Sequence, residues 1–171
     1  SKVQLITDAA AGTAVLVLAY GVARYRVMET IGGRLATWLA GIFYCGVLFT
    51  TLSLLKKHDE SGDWVLLAMA ISWFGDTGAY FTGKAIGGPK IYPAISPNKT
   101  VSGSVGGLVA GVLAGVLAKL TFMDQLSWAD VVLVCLPAGV LGQVGDFAES
   151  LFKRSFGVKD SGNLLPGHGG M

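Results

Sequence analysis

The sequence predicts an all-α, polytopic integral membrane helical bundle, with about five transmembrane helices, a cytoplasmic amphipathic helix and a glycine-rich tail. Three observations carry this. The 171 residues are 52% hydrophobic and only 14% charged, with a mean hydropathy of +0.59, whereas an ordinary soluble domain carries about 25% charged residues. Five apolar stretches follow one another, each close to the roughly 20 residues that cross a hydrocarbon core of about 30 Å. The basic residues between them alternate in abundance from one side to the other.

The stretches are Leu5 to Ala23, Leu35 to Leu55, Trp64 to Thr82, Val101 to Leu120 and Ser127 to Gly145. The second holds no charge, nor does the fourth from Val101 to Ala118, while the first and fifth have shorter uncharged cores, Ala9 to Ala23 and Val131 to Gly145. If the spans alternate, Arg24, Arg26, Arg34, Lys84, Lys90, Lys99, Lys153, Arg154 and Lys159 share one side. Lys2, Lys56, Lys57 and Lys119 share the other. The positive-inside rule then puts the Lys84 to Lys99 loop and the tail in the cytoplasm. Nothing interrupts the pattern with a soluble domain, so residues 1–171 read as one integral membrane domain. Net charge is +2, and nucleic acid is not among the expected partners.

In the fourth span Gly103, Gly107, Gly111 and Gly115 recur every fourth residue beside Ala110, Ala114 and Ala118. Such a row lets another helix approach backbone to backbone. It predicts close packing within the fold or between two copies, so a homodimer through this face is an expectation. Trp64 and Trp128 stand where amphipathic rings anchor at an interface. Cys45 and Cys135 lie in apolar spans without metal-ligand spacing and read as small core residues.

Three polar clusters carry the chemistry. Asp76, in Trp73-Phe74-Gly75-Asp76-Thr77-Gly78, is a carboxylate toward the cytoplasmic end of the third span, and an intramembrane acid is by default a functional-site residue or a cap on a broken helix. The seventeen residues Gly83 to Lys99 form a basic, turn-rich loop with Lys84, Lys90, Ser96 and Lys99, followed by Thr100 and Ser102. Lysines, hydroxyls and glycine amides suit a triphosphate. No G-x-x-x-x-G-K-[ST] occurs, which disfavours a P-loop NTPase. In the third cluster Asp146, Glu149, Ser150, Lys153 and Arg154 fall at helical spacings of three and four, so they line one face. Asp146 and Glu149 could share one Mg²⁺, which prefers a few carboxylates together with substrate phosphates; Glu149 and Lys153 equally form an ordinary i,i+4 pair. Beyond them, Lys159, Asp160, His168 and Gly169 crowd among glycines, with His168 suited to phosphate or nucleotide contact.

The run Ser150-x-x-Lys153-Arg154, four residues, Lys159-Asp160-Ser161-Gly162, three residues, Pro166-Gly167-His168-Gly169-Gly170 resembles the signature of the CDP-diacylglycerol synthase, or phosphatidate cytidylyltransferase, family. The segments Asp76-Thr77-Gly78-Ala79-Tyr80 and Ser96-Pro97-Asn98-Lys99-Thr100 resemble a second recurrent part of it, with Asn98 where lysine is commoner. Family members continue into an acidic D-R-x-D segment and have further spans ahead of this region, so residues beyond both ends are expected. The resemblance implies transfer of a cytidylyl group from CTP to phosphatidate, with Mg²⁺ or another divalent cation at Asp146 and Glu149. Asp146, Lys153, Arg154 and Asp160 would be catalytic. Asp76, Lys84, Ser96, Lys99, Thr100, Ser150, Lys159, His168 and Gly169 would bind the nucleotide, with membrane lipids around the spans. It also implies a bacterial inner membrane with the active face cytoplasmic. A CTP-dependent polyprenol or phytol kinase, and an archaeal ether-lipid cytidylyltransferase, share the spans and CTP but not the acceptor. A transporter using Asp76 as a coupling residue is the reading from another class, and a non-catalytic lipid-binding scaffold is a third.

Overall fold

A computed structural model describes residues 2–24, 28–58 and 61–158. All regular structure among them is helical apart from one isolated bridge between Lys90 and Thr100. The helices are α1 (Lys2–Arg24), α2 (Met28–Ile42), a π-helical turn (Phe43–Val47), α3 (Leu48–His58), α4 (Asp63–Ile86), α5 (Val101–Thr121) and α6 (Trp128–Ser155). Each of the five apolar stretches coincides with helix. Among the described residues two helices, α5 and α6, are long and apolar enough to cross a membrane by length and composition.

The chain divides into two compact units, Ser1–Gly62 and Asp63–Met171. In the first, α1 packs on α2, where Gly21 is buried so tightly against Leu35 that an added Cβ would stand 2.6 Å from its Cδ2. The rings of Tyr20 and Trp38 meet there at 6.0 Å. The second predicted stretch is continuous helix from α2 to α3, broken in hydrogen-bond pattern only by the π turn at Phe43–Val47.

The second unit holds every described polar candidate. Its helices α4, α5 and α6 run up, down and up. At one end Leu67 and Ile71 of α4, Ala118 of α5, Met123 and Leu126 of the connection, and Val131 and Cys135 of α6 form the buried core, with Trp64 packed against it. Trp64 is thus a packing residue. The predicted glycine row is that unit's spine. A Cβ on Gly103 would meet Ala79 O at 2.9 Å, one on Gly107 would meet Gly75 O at 2.9 Å, and one on Gly115 would meet Cys135 Sγ at 2.3 Å. The row therefore packs against α4 and α6 of its own chain. Of the two packings expected for this face, within the fold or between copies, the first is seen: Gly103, Gly107, Gly111 and Gly115 are all buried within the chain.

Helix ends follow their local chemistry. α4 continues four residues past the predicted boundary at Thr82, so Gly83 and Lys84 belong to its last turns and the loop begins at Gly87. Gly87 adopts φ 66° and its N–H bonds Gly83 O at 3.0 Å, a left-handed cap that glycine takes without a Cβ clash. Lys84 in the last turn suits the negative end of the helix dipole. Thr100 caps α5, its hydroxyl accepting from Gly103 N at 3.1 Å. Replacing it by alanine is expected to lower unfolding stability by about 1 kcal/mol, read from denaturant melts in detergent; an unchanged midpoint would mean the cap is dispensable. Ser127 and Asp130 close a reciprocal capping box at the start of α6, with bonds of 3.1 and 2.9 Å.

The expected fifth span and cytoplasmic amphipathic helix are one uninterrupted helix, α6, 28 residues long. Pro137 lies inside it without ending it, and the helix stops at Gly157 (φ 69°), where Val158 N bonds Lys153 O and Gly157 N bonds Arg154 O.

Candidate functional site

The site lies at the end of the second unit opposite its core, where α4 finishes, α5 begins and α6 finishes. The connection from α4 to α5 is a short folded loop. Ile91 N bonds Lys99 O at 3.2 Å and Val101 N bonds Pro89 O at 3.0 Å; Ile95 N and Ser96 N both bond Tyr92 O. Ser102 donates to Gly87 O and shares a 3.1 Å hydrogen bond with Thr100. These bonds hold Lys99 at the mouth of α5, a helix N-terminus with the partial positive charge that favours anions.

Lys99 forms an ion pair with Asp146 of α6 and lies 4.2 Å from the ring centroid of Phe147. Both partners remain partly open to solvent, 27% and 49% exposed. A pair that open contributes about 0–1 kcal/mol, so it positions charge more than it stabilises the fold. One turn further along α6, Glu149 pairs with Lys153 at 2.9 Å. Arg154 Nε donates to Ile95 O at 3.3 Å, so α6 grips the loop at two points, Asp146 and Arg154. Asp76 of α4 interacts electrostatically with Asp146 and Lys99. Three segments far apart in sequence thus bring two carboxylates and a lysine together.

The remaining predicted residues divide cleanly. Lys84 lies at the end of α4 with its ammonium 5.7 Å from the Tyr80 ring, and Ser96 is half-buried in the loop. Ser150 is half-buried on the α6 face between Asp146 and Arg154. Thr100 is only 5% exposed and its hydroxyl is engaged by the cap. Lys159, Asp160, His168 and Gly169 lie outside the described residues.

Two residues of this site escaped the sequence reading. Phe147 carries Lys99 on its ring, and nothing in the sequence distinguishes it from an ordinary apolar position. Gln143 sits one turn before Asp146, its side-chain amide donating to Ser104 O of α5 at 2.9 Å. A polar amide inside the apolar stretch Ser127 to Gly145 was the available signal.

The donor set can be tested against Mg²⁺. No group of three His, Cys, Asp or Glu gathers among the described residues, so a cage made wholly of protein ligands is not offered there. Asp76 and Asp146, carboxylates from separate helices that interact electrostatically, are the donor type taken by an ion that needs one or two carboxylates and completes its shell with phosphates and water.

Fold and site together define a strongly apolar protein, helical among the described residues, with basic side chains and carboxylates gathered at the ends of three helices. The chain belongs to the cytidylyltransferase family, whose model matches residues 2–171. It is similar to proteins named phosphatidate cytidylyltransferase from Brucella suis biovar 1 (strain 1330), 42% identical over 169 residues, 98% of this chain and 62% of that protein. It is also similar to those of Bacillus subtilis (strain 168), 40% identical over 75% of this chain and 48% of that protein, and Staphylococcus aureus (strain COL), 41% identical over 78% and 50%. The chain spans about three fifths of the length of the Brucella relative.

Proposed function

We propose that the intact protein transfers the cytidylyl group of CTP to phosphatidate, giving CDP-diacylglycerol and pyrophosphate in phospholipid synthesis. The observation that carries this reading is the convergence of Asp76, Lys99 and Asp146 at one end of α4, α5 and α6, in a chain similar over most of its length to phosphatidate cytidylyltransferases.

Little covalent work falls to the protein. A phosphatidate oxygen is already anionic; it attacks the α-phosphorus of CTP, and the bond to the β-phosphate oxygen breaks as pyrophosphate leaves. The task is to bring two polyanions together and align them. Lys99, at the N-terminus of α5, moves from Asp146 onto the triphosphate. Lys153 and Arg154 give up Glu149 and Ile95 O for phosphate oxygens, and Lys84 adds charge from α4; Lys159, Asp160 and His168 complete the nucleotide's surroundings. Asp146 with Asp76, and Glu149 once Lys153 has turned away, would hold Mg²⁺, which when bound supplies neutralisation of the triphosphate and eases departure of pyrophosphate. Ser96, Thr100 and Ser150 provide the surrounding hydroxyls, and Gly169 a bare backbone amide.

The five apolar stretches cross a bacterial inner membrane, with α4 and α6 emerging on the cytoplasmic face. The acyl chains stay in the bilayer while CTP arrives from the cytoplasm, which accounts for a charged cluster at helix ends.

The test supplies labelled CTP to membranes containing the intact protein, with phosphatidate or a polyprenol as acceptor. Label should enter lipid with phosphatidate only; label on the polyprenol would replace this reading with that of a lipid kinase, and ion-driven uptake without CTP dependence would replace it with transport. In the same membranes Lys153→Ala is expected to weaken CTP binding about tenfold, the loss of one charge-assisted hydrogen bond of roughly 1.5 kcal/mol. An unaltered CTP affinity in detergent would remove Lys153 from the site.

A further inference from the structure

The two acids of the site sit on different helices, so something must set the distance between them. At Gly107, α5 is flanked by both α4 and α6. A Cβ built there would stand 2.9 Å from Gly75 O of α4, 3.1 Å from Ala79 Cβ of α4 and 3.3 Å from Gln143 Nε2 of α6. Gly75 immediately precedes Asp76, and Gln143 lies one turn before Asp146 on the same side of α6. From this junction Gln143 reaches across to α5 and donates to Ser104 O at 2.9 Å. It is half-buried within an apolar stretch, where an amide is retained at a desolvation cost unless its bond does something.

We propose that Gln143 is a positioning residue that fixes the separation of Asp76 and Asp146 by pinning α6 to the backbone of α5 where α4 also touches it. Toward the middle of α5 and α6 the contacts are apolar, such as Gly115 with Cys135 and Val131, and Gly139 with Leu108. Those contacts resist separation of the helices but allow small sliding along their axes. A directional hydrogen bond does not. The precision matters because Mg²⁺ tolerates little departure from octahedral geometry at about 2.0–2.1 Å.

This inference rests on the proposed cation and nucleotide site, and the experiment separates the two. In the intact protein, Mn²⁺ alone is titrated as the probe, with free Mn²⁺ read by electron paramagnetic resonance, alongside CTP-dependent turnover. Gln143→Leu keeps the volume and removes the donor. It is expected to weaken Mn²⁺ binding about tenfold, the lower range for loss of an outer-shell partner, and to lower kcat by a similar factor. KM for phosphatidate and the melting midpoint should stay as in the parent. A leucine variant that binds Mn²⁺ as the parent does overturns the proposal, whatever its melting behaviour. Should the leucine variant fail to fold, Gln143→Met, unbranched and of similar length, carries the same prediction. If neither folds, Gln143 has a purely structural role and the proposal fails. A parent that binds no Mn²⁺ sinks the site reading itself, and this inference with it.

Discussion

Asp146→Asn is expected to lower CTP-dependent lipid labelling by at least about 100-fold, the loss typical of removing one preorganised electrostatic partner from a reacting centre, while the helices remain folded. Asparagine keeps the shape of the side chain and removes its charge. The partner it leaves, Lys99, is 27% exposed and retains the Phe147 ring at 4.2 Å, so water and the ring accommodate the ammonium. Stability should therefore change by no more than about 1 kcal/mol, the scale of an exposed ion pair. Activity and melting, measured on the same detergent preparation, separate the two effects. Turnover within threefold of the parent would show that Asp146 is not needed for the reaction.

The largest structural effect is expected at Gly78, where α4 crosses α5. A Cβ there would lie 2.4 Å from Ala110 Cβ and 3.0 Å from Gly106 O. Neither neighbour can rotate away, since one is a methyl carbon fixed to the backbone and the other is backbone. Gly78→Ala must push the helices apart, an overpacking cost of about 1–3 kcal/mol, and the displaced helix carries Asp76 only two residues away. Gly142→Ala on α6 provides the contrast. An added Cβ there meets nothing within 4 Å, and the change should stabilise by roughly 0.5–1 kcal/mol through helix propensity. The same chemical substitution is thus predicted to have opposite signs at two positions. Equal melting midpoints for both variants would contradict the close crossing of α4 and α5.

Much of the fold was legible in the sequence because apolar runs of about 20 residues leave the backbone little choice but helix. The glycine row of α5 was equally legible as a packing face. Which helices it packs was not, since Gly107 meets Gly75 and Gln143 through contacts that no local spacing encodes. Loop composition misled at Gly83-Lys84, where the helical hydrogen-bond pattern persists until Gly87 turns left-handed. The π turn at Phe43–Val47 left no sequence mark, because Phe-Tyr-Cys-Gly-Val suits an ordinary apolar helix equally well.

At the site, the helical spacing of Asp146, Glu149, Lys153 and Arg154 was readable directly. The same spacing offered Glu149 with Lys153 as an i,i+4 pair, and that pair forms, beside the pairing of Asp146 with Lys99. The Lys99 to Asp146 pair joins residues 47 apart, a tertiary fact. Thr100 illustrates a different limit: a hydroxyl after a basic loop suits both a phosphate contact and a helix cap, and burial favours the cap.

The most direct test of the account follows phosphorus. Inverted inner-membrane vesicles containing the intact protein, with their cytoplasmic face outward, are given phosphatidate and CTP labelled at either the α- or the γ-phosphate. The account predicts that α-label enters lipid and γ-label leaves as pyrophosphate. Label from the γ-phosphate in the lipid, or α-label incorporated only when CTP is supplied from the opposite face, would contradict it.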